Sequence, residues 1–292
     1  MPKIQYKTVN IQQRGLALIE HVNGIIGEYA SAGYALTLRQ VYYQLVARDF
    51  IENSERSYKN VGNLISNGRL SGLIDWDDIE DRTRIHRELS HWSSPASIVE
   101  DAANQYRRDL WEGQRCYVEV WVEKDALIGI VEKAAQSLDC PCFSCRGYAS
   151  QSAIWASAQR FLEKNHQDRD CIIIYLGDHD PSGIDMTRDI RERLELFAAA
   201  VDVQRVALTM QQIKKYDPPP NPAKESDTRA SNYISLYGVH SWELDALKPE
   251  ILHDLITDSV KISLDQKMFD AALNRQEAER KKLDAWAEKF HP

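Results

Sequence analysis

The stretch Cys171-Ile172-Ile173-Ile174-Tyr175-Leu176 constrains the fold more than any other part of the chain. It is almost wholly apolar and rich in β-branched residues, with no polar residue at alternate positions. A strand of that kind needs cover on both faces, which is the situation inside a parallel sheet flanked by helices. Ligands of such sheets sit at the carboxyl ends of the strands. This strand runs out into Gly177-Asp178-His179-Asp180-Pro181-Ser182-Gly183. Side chains alternate with period two along a strand, so Asp178 and Asp180 are expected to point the same way. Two converging hard oxygen donors suit Mg²⁺. Pro181 and Gly183 are expected to end the strand in a turn. On its own, the pair of aspartates fits a solvated turn with capping residues equally well.

The second acid lies upstream. Cys116 to Val122 reads as another buried strand, with Val118, Val120 and Val122 on one face. It ends in Glu123-Lys124, and a helix-forming stretch follows from Asp125 to Ser137. Two buried strands that each end in carboxylates make a small α/β unit with an acidic rim. Glu123, Asp178 and Asp180 are therefore the candidate ligands for one or two Mg²⁺ ions, with Mn²⁺ an alternative. Glu119 shares a face with Glu123 but lies four residues back, over ~10 Å away at ~3.3 Å per residue. It reads as structural.

A third feature precedes both strands. Thr37 to Arg48 has helical period, with Leu38, Val41, Tyr42 and Leu45 on one apolar stripe and Thr37 as the N-cap. Tyr43 falls well off that stripe and is expected to be exposed, with Arg39 one turn away on its side. An exposed tyrosine beside an arginine suits attack on a phosphodiester, because the arginine can bind phosphate and favour the phenolate. A partly buried tyrosine pair with a surface arginine is the plainer alternative. Glu55 to Leu70 reads as a further helix. Arg56, Lys59, Asn60, Asn63 and Asn67 line one side of it, without acids, and Tyr58, Val61 and Ile65 line the other. A basic, amide-rich face is what a groove-entering helix offers. Leu70 to Ile79 reads as a short hairpin or wing, with Ile74 and Trp76 turned inward.

A glutamate after one strand, an Asp-x-Asp after a later one and a helix between them resembles the Toprim domain of topoisomerases, primases and several nucleases. Taken with Arg39-Gln40-Val41-Tyr42-Tyr43, the chain resembles the A subunit of topoisomerase VI and the meiotic double-strand-break transesterase. Those proteins carry a winged-helix domain before the Toprim domain. Val122-Glu123-Lys124, Arg146-Gly147-Tyr148 and Gly177 to Gly183 match further steps of the pattern, over residues 36 to 260 or so. Gln40 stands where the pattern usually has an acid. By length the chain is most similar to the short stand-alone mini-A type found in bacteria, plasmids and phages. The resemblance implies Tyr43 as nucleophile, Arg39 beside it, and Mg²⁺ at Glu123, Asp178 and Asp180. Arg56, Lys59, Asn63, Asn67, Lys124 and Arg146 would contact DNA. It implies double-stranded DNA as substrate and no ATP site in this chain. It also implies a homodimer in which the tyrosine of one subunit meets the acids of the other. With only about 36 residues before the tyrosine helix, pairing with a B-type ATPase subunit is left open. So are a hydrolytic Toprim nuclease and a non-catalytic DNA-binding protein.

Composition adds bounds. At 292 residues the chain suits two modest domains. The expected division is a winged-helix domain over 1–84, a helical linker over 85–112, a Toprim domain over 113–262 and a charged helix over 263–292, for which dimerisation is one use. A net charge of −8 argues against a general nucleic-acid coat. Residues 37 to 72 nonetheless hold five cations against three acids. Cys140, Cys142 and Cys145 are too cramped, and lack the second ligand pair, for a zinc site. Five cysteines and no signal peptide fit a reducing cytoplasm. Glu243, in Ser241-Trp242-Glu243-Leu244-Asp245-Ala246-Leu247, is either a further acid near the metal or part of a helix start capped by Ser241.

Overall fold

The computed structural model describes residues 3–80, 89–224 and 226–290. Its N-terminal unit is three helices, α1 (Gln13–Ser31), α2 (Leu38–Ala47) and α3 (Glu55–Leu70). A short strand β1 (Leu36–Thr37) pairs in parallel with β2 (Ile79–Glu80). Ile19, Val22, Ile25 and Ile26 of α1, Val41, Tyr42 and Leu45 of α2, and Val61 and Ile65 of α3 share one apolar cluster. Leu16 of α1 is exposed. Thr37 caps α2 as expected, and the cap is reciprocal: the Gln40 side chain accepts from the Thr37 backbone N–H at 2.8 Å. Gln40 thus does at this position what an acid would do, since either can accept that bond.

The expected hairpin over 70–79 does not form. The N–H groups of Leu73 and Ile74 both donate to Gly68 O and close the end of α3. Ile74 is buried, but Trp76 is exposed, edge-on to Tyr6 and against the Arg69 guanidinium. The expected domain boundary at 84–85 lies outside the described residues.

Beyond α4 (Pro95–Gln105) comes the sheet. Its strands are β3 (Cys116–Val122), β4 (Cys142–Ser144), β5 (Asp170–Leu176) and β6 (Val201–Ala207), all parallel, in the order β4-β3-β5-β6. Strand parity decides which helices cover which face. Val118, Val120, Val122, Ile174 and Leu176 pack against α5 (Ile128–Gln136) and α10 (Pro249–Ile262). Trp121, Ile173, Tyr175 and Val203 pack against α6 (Gln151–Asn165) and α7 (Pro181–Leu196). The chain is therefore α/β, with a four-stranded parallel sheet covered on both faces. Pro181 does not turn the chain away. It is the first residue of α7, where a missing N–H costs nothing, and Asp180 is the N-cap.

The rest of the chain serves the sheet. α8 (Met210–Tyr216), β7 (Asn221–Pro222), α9 (Ala230–Tyr237) and β8 (His240–Ser241) lead from β6 to α10. The long charged helix α11 (Gln266–Ala287) lies against α4. Tyr106, just after α4, donates to Glu279 at 2.6 Å, and Arg108 pairs with the same carboxylate. No helix among the described residues is long and apolar enough to cross a membrane.

Candidate metal centre and tyrosine

β3 and β5 run in register to their last residues, Val122 beside Leu176, so Glu123 and Gly177-Asp178 leave the sheet at one level. The Glu123 N–H donates to Leu176 O at 2.9 Å, and its carboxylate accepts from the Asp178 N–H at 2.8 Å. Gly177 is what allows this approach. A Cβ there would lie 2.9 Å from Glu123 Oε2 and 2.8 Å from the Tyr175 hydroxyl.

A second loop closes over the first. His179 and Trp242 exchange backbone hydrogen bonds of 2.8 and 2.9 Å, and the His179 ring meets the Tyr233 hydroxyl at 2.8 Å. Burial lowers the His179 imidazole to about 4, with Arg205 adding to the effect, so the ring is neutral near pH 7. Arg205 donates to Gly177 O at 2.9 Å and Gly183 O at 2.8 Å, and also to Asp178 O. The Leu244 N–H then reaches Asp178 Oδ1 at 2.8 Å. These bonds bring Glu243 and Asp245 onto the ends of β3 and β5.

Asp178, Glu243 and Asp245 converge, with one oxygen of each within 4.8 Å of the others. The Lys124 ammonium stands among them, 2.7 Å from Asp178 Oδ2 and 2.9 Å from Asp245 Oδ1, and it also donates to Glu243. Burial works against the charged ammonium, yet Asp245, Asp178 and Glu243 hold it well above the usual lysine range. Burial pushes Glu243 up, but Lys124 and Arg39 outweigh it and hold the carboxyl below its ordinary value. Asp178 is raised, by burial and by the charges of Glu123, Glu243 and Asp245, against the pull of Lys124. Glu123 is raised by burial and by Asp180. Counted formally, five carboxylates (Glu123, Asp178, Asp180, Glu243, Asp245) meet three cations (Arg39, Lys124, Arg205), which leaves two negative charges in excess. Hard oxygen donors around a point already held by a cation are a set that can hold a metal ion.

This group overlaps the expected one at Asp178. Glu123 is hydrogen-bonded to it, whereas Asp180 spends an oxygen on the Gly183 N–H at 2.6 Å as the cap of α7. β5 ends at Leu176, before either aspartate, so strand alternation does not set the direction of Asp180. Ser241 lies in β8 and caps no helix, so the plainer reading of Glu243 is overturned. Asp245 was missed, although Glu243-Leu244-Asp245 has the same acid-x-acid spacing as Asp178-His179-Asp180. Glu119 is structural: buried, it accepts from Arg160, Tyr117 and Trp121.

Tyr43 is not exposed. Only 5% of its surface is accessible, because the turn Leu244–Ala246 packs on α2 and Ala246 joins its apolar cluster. Arg39 lies beside it, its guanidinium carbon 5.8 Å from the ring centre. That guanidinium is occupied: Nη2 is 2.8 Å from Glu243 Oε2, and Nε is 2.9 Å from Asp245 Oδ2. The expected lowering of the phenol is reversed. Burial, then Glu243 and Asp245, raise Tyr43 against Arg39 and Lys124. The Tyr42 hydroxyl accepts from the Ser54 N–H at 2.8 Å and donates to Asn53 Oδ1 at 2.9 Å. A cavity of about 170 Å³ opens at this point, lined by Arg39, Tyr42, Tyr43, Asn53, Ser54, Glu55 and Tyr58.

On α3, Arg56, Lys59, Asn60, Asn63 and Asn67 are exposed on one side, and Val61 and Ile65 are buried on the other. The face is not free of acids, however, since Glu55 pairs with Lys59 at 2.7 Å. Arg146 is open, its side chain 75% exposed and 3.1 Å from Asp125. Lys124, expected on the DNA, has a side chain only 17% exposed among the three carboxylates. A scan against protein-family models and a search of curated proteins find no match to this chain.

Proposed function

We propose that the chain is a divalent-metal-dependent DNA transesterase of the topoisomerase VI A-subunit kind, a winged-helix unit followed by a Toprim unit. One observation carries this reading: Arg39 of the tyrosine helix is ion-paired to Glu243 and Asp245, at the acidic end of the parallel sheet. A tyrosine, an arginine and a metal-competent carboxylate group at one place form a phosphoryl-transfer constellation. Asp178, Glu243 and Asp245, with Glu123 bonded behind Asp178, would hold Mg²⁺ or Mn²⁺ where the Lys124 ammonium stands. When bound, that ion supplies stabilisation of charge on the phosphorus oxygens. Tyr43 Oη attacks the phosphorus and its proton passes to a carboxylate of the cluster. The phosphorus–oxygen bond to the neighbouring sugar breaks, leaving a phosphotyrosine and a free hydroxyl. The exposed side of α3, with Arg56, Lys59, Asn63 and Asn67, would hold the duplex.

A hydrolytic reading is favoured by one feature, the buried and raised phenol of Tyr43. In that case a water molecule attacks and Tyr43 only packs. The test is covalent capture: labelled supercoiled DNA, protein and Mg²⁺ or Mn²⁺, quenched in denaturant. Protein left on the DNA supports transesterification, and cleaved DNA without protein supports hydrolysis.

A further inference from the structure

The three carboxylates that could hold a divalent ion are closed around a cation of the chain itself. Lys124 Nζ lies 2.7 Å from Asp178 Oδ2, and it donates to Asp245 Oδ1 at 2.9 Å and to Glu243. One oxygen of each acid lies within 4.8 Å of the others, a space for a single ion. At Mg²⁺–oxygen distances of about 2.0–2.1 Å, the same oxygens cannot also enclose an ammonium. The acids are fixed in place. The side chains of Asp178 and Asp245 are 6% and 0% exposed, and Asp178 Oδ1 accepts from the Leu244 N–H at 2.8 Å. The backbone at Lys124 is fixed as well. The Glu123 N–H donates to Leu176 O at 2.9 Å, the Gly147 N–H to Glu123 O at 3.0 Å and the Leu127 N–H to Lys124 O at 3.1 Å. What can give way is the lysine side chain, a compact charge on a flexible stem. At 17% exposure it has a path to solvent.

We propose that Lys124 is the resident counter-ion of this acid cluster, and that a divalent ion binds there only by displacing its ammonium. The two cations are mutually exclusive. Twice the charge at the same oxygens favours the divalent ion once it arrives. While the ammonium stays, those oxygens are occupied. The apparent metal affinity is therefore lowered in proportion to the fraction of chains whose lysine has left. Lys124 thus sets the metal concentration at which the site fills. The inference rests on the metal part of the proposed function and is independent of what Tyr43 does.

The first test is calorimetric titration of the whole chain with Mg²⁺ and, separately, Mn²⁺, without DNA. Lys124→Met keeps the apolar stem and removes the charge. Its Kd should be at least about tenfold tighter than that of the wild type, as for a site freed of its competitor. A Kd equal to or weaker than the wild type's overturns the proposal and leaves the metal-dependent reading standing. Binding by Lys124→Met alone supports the proposal and contradicts that reading. Binding by neither chain overturns both. Loss of a nearby charge also tightens metal binding, and the variant can fail to fold, so displacement is read directly on the wild type. The chain is acetylated with an N-hydroxysuccinimide ester at one pH and mapped by mass spectrometry, with the exposed Lys267 as internal standard. Saturating Mg²⁺ should speed reaction at Lys124 severalfold relative to Lys267. An unchanged ratio overturns the displacement.

Discussion

The adjacent tyrosines of α2 are both buried, but their hydroxyls have different partners. Tyr42 spends its hydroxyl on Asn53 and on the Ser54 N–H, at the start of α3. Tyr42→Phe leaves that N–H unpaired and should cost about 1–2 kcal/mol of stability, measured by urea unfolding, while covalent capture persists. Tyr43→Phe should change stability by less than about 1 kcal/mol and abolish capture. Cys142 gives a residue-scale prediction in pH. Burial, then Glu132 and Glu119, push its thiol up to about 11. At pH 8 the thiolate fraction is on the order of 10⁻³, so alkylation at Cys142 should be slow and rise about tenfold per pH unit toward 11. A rate that levels off by pH 9 contradicts this. Helical period set Tyr43 apart from the apolar stripe of Tyr42, whereas the structure buries both in one cluster. What covers Tyr43 arrives from residues 244–246, some 200 positions away, and no local pattern announces it. Asp245 was hidden for the same reason, since its partners Arg39 and Lys124 lie in other segments, whereas Glu243 was legible as one of two readings.

Among the elements, the buried strands and α3 were the most legible, because their apolar periods are long and uninterrupted. The start of α7 was misread. Asp180-Pro181 is a cap followed by a proline at the first helical position, and the same residues also write a turn. For α3, the exposed face carries a specific expectation. Lys59→Ala should weaken DNA binding and reduce the slope of log K against log salt by about one. Glu55 holds Lys59 at 2.7 Å, so Glu55→Gln should free the ammonium and strengthen binding. Fluorescence anisotropy across a salt series measures both. Equal slopes in wild type and Lys59→Ala would remove α3 from the interface.

At the scale of the molecule, three packed clusters are joined at the acidic end of the sheet, and a divalent cation should tighten that junction. Mg²⁺ at a hundred times its Kd should stabilise the fold by about 2.7 kcal/mol, seen as a rise in Tm. Asp178→Asn should abolish the rise. The parallel sheet was foreseeable from Cys171–Leu176, whereas the pairing of α4 with α11 was not. Tyr106 and Arg108, which follow α4, meet Glu279 of the strongly charged α11, a pairing that no local pattern in either segment announces. The central claim of the proposed function is that Tyr43, beside Arg39 and the acid cluster, forms a covalent bond to DNA. Its most direct test is peptide mapping of the denatured protein–DNA adduct by mass spectrometry. The account predicts one phosphotyrosyl peptide, carrying Tyr43, that disappears in Tyr43→Phe and in metal-free buffer. An adduct on another residue, or cleavage that persists in Tyr43→Phe without any adduct, would contradict it.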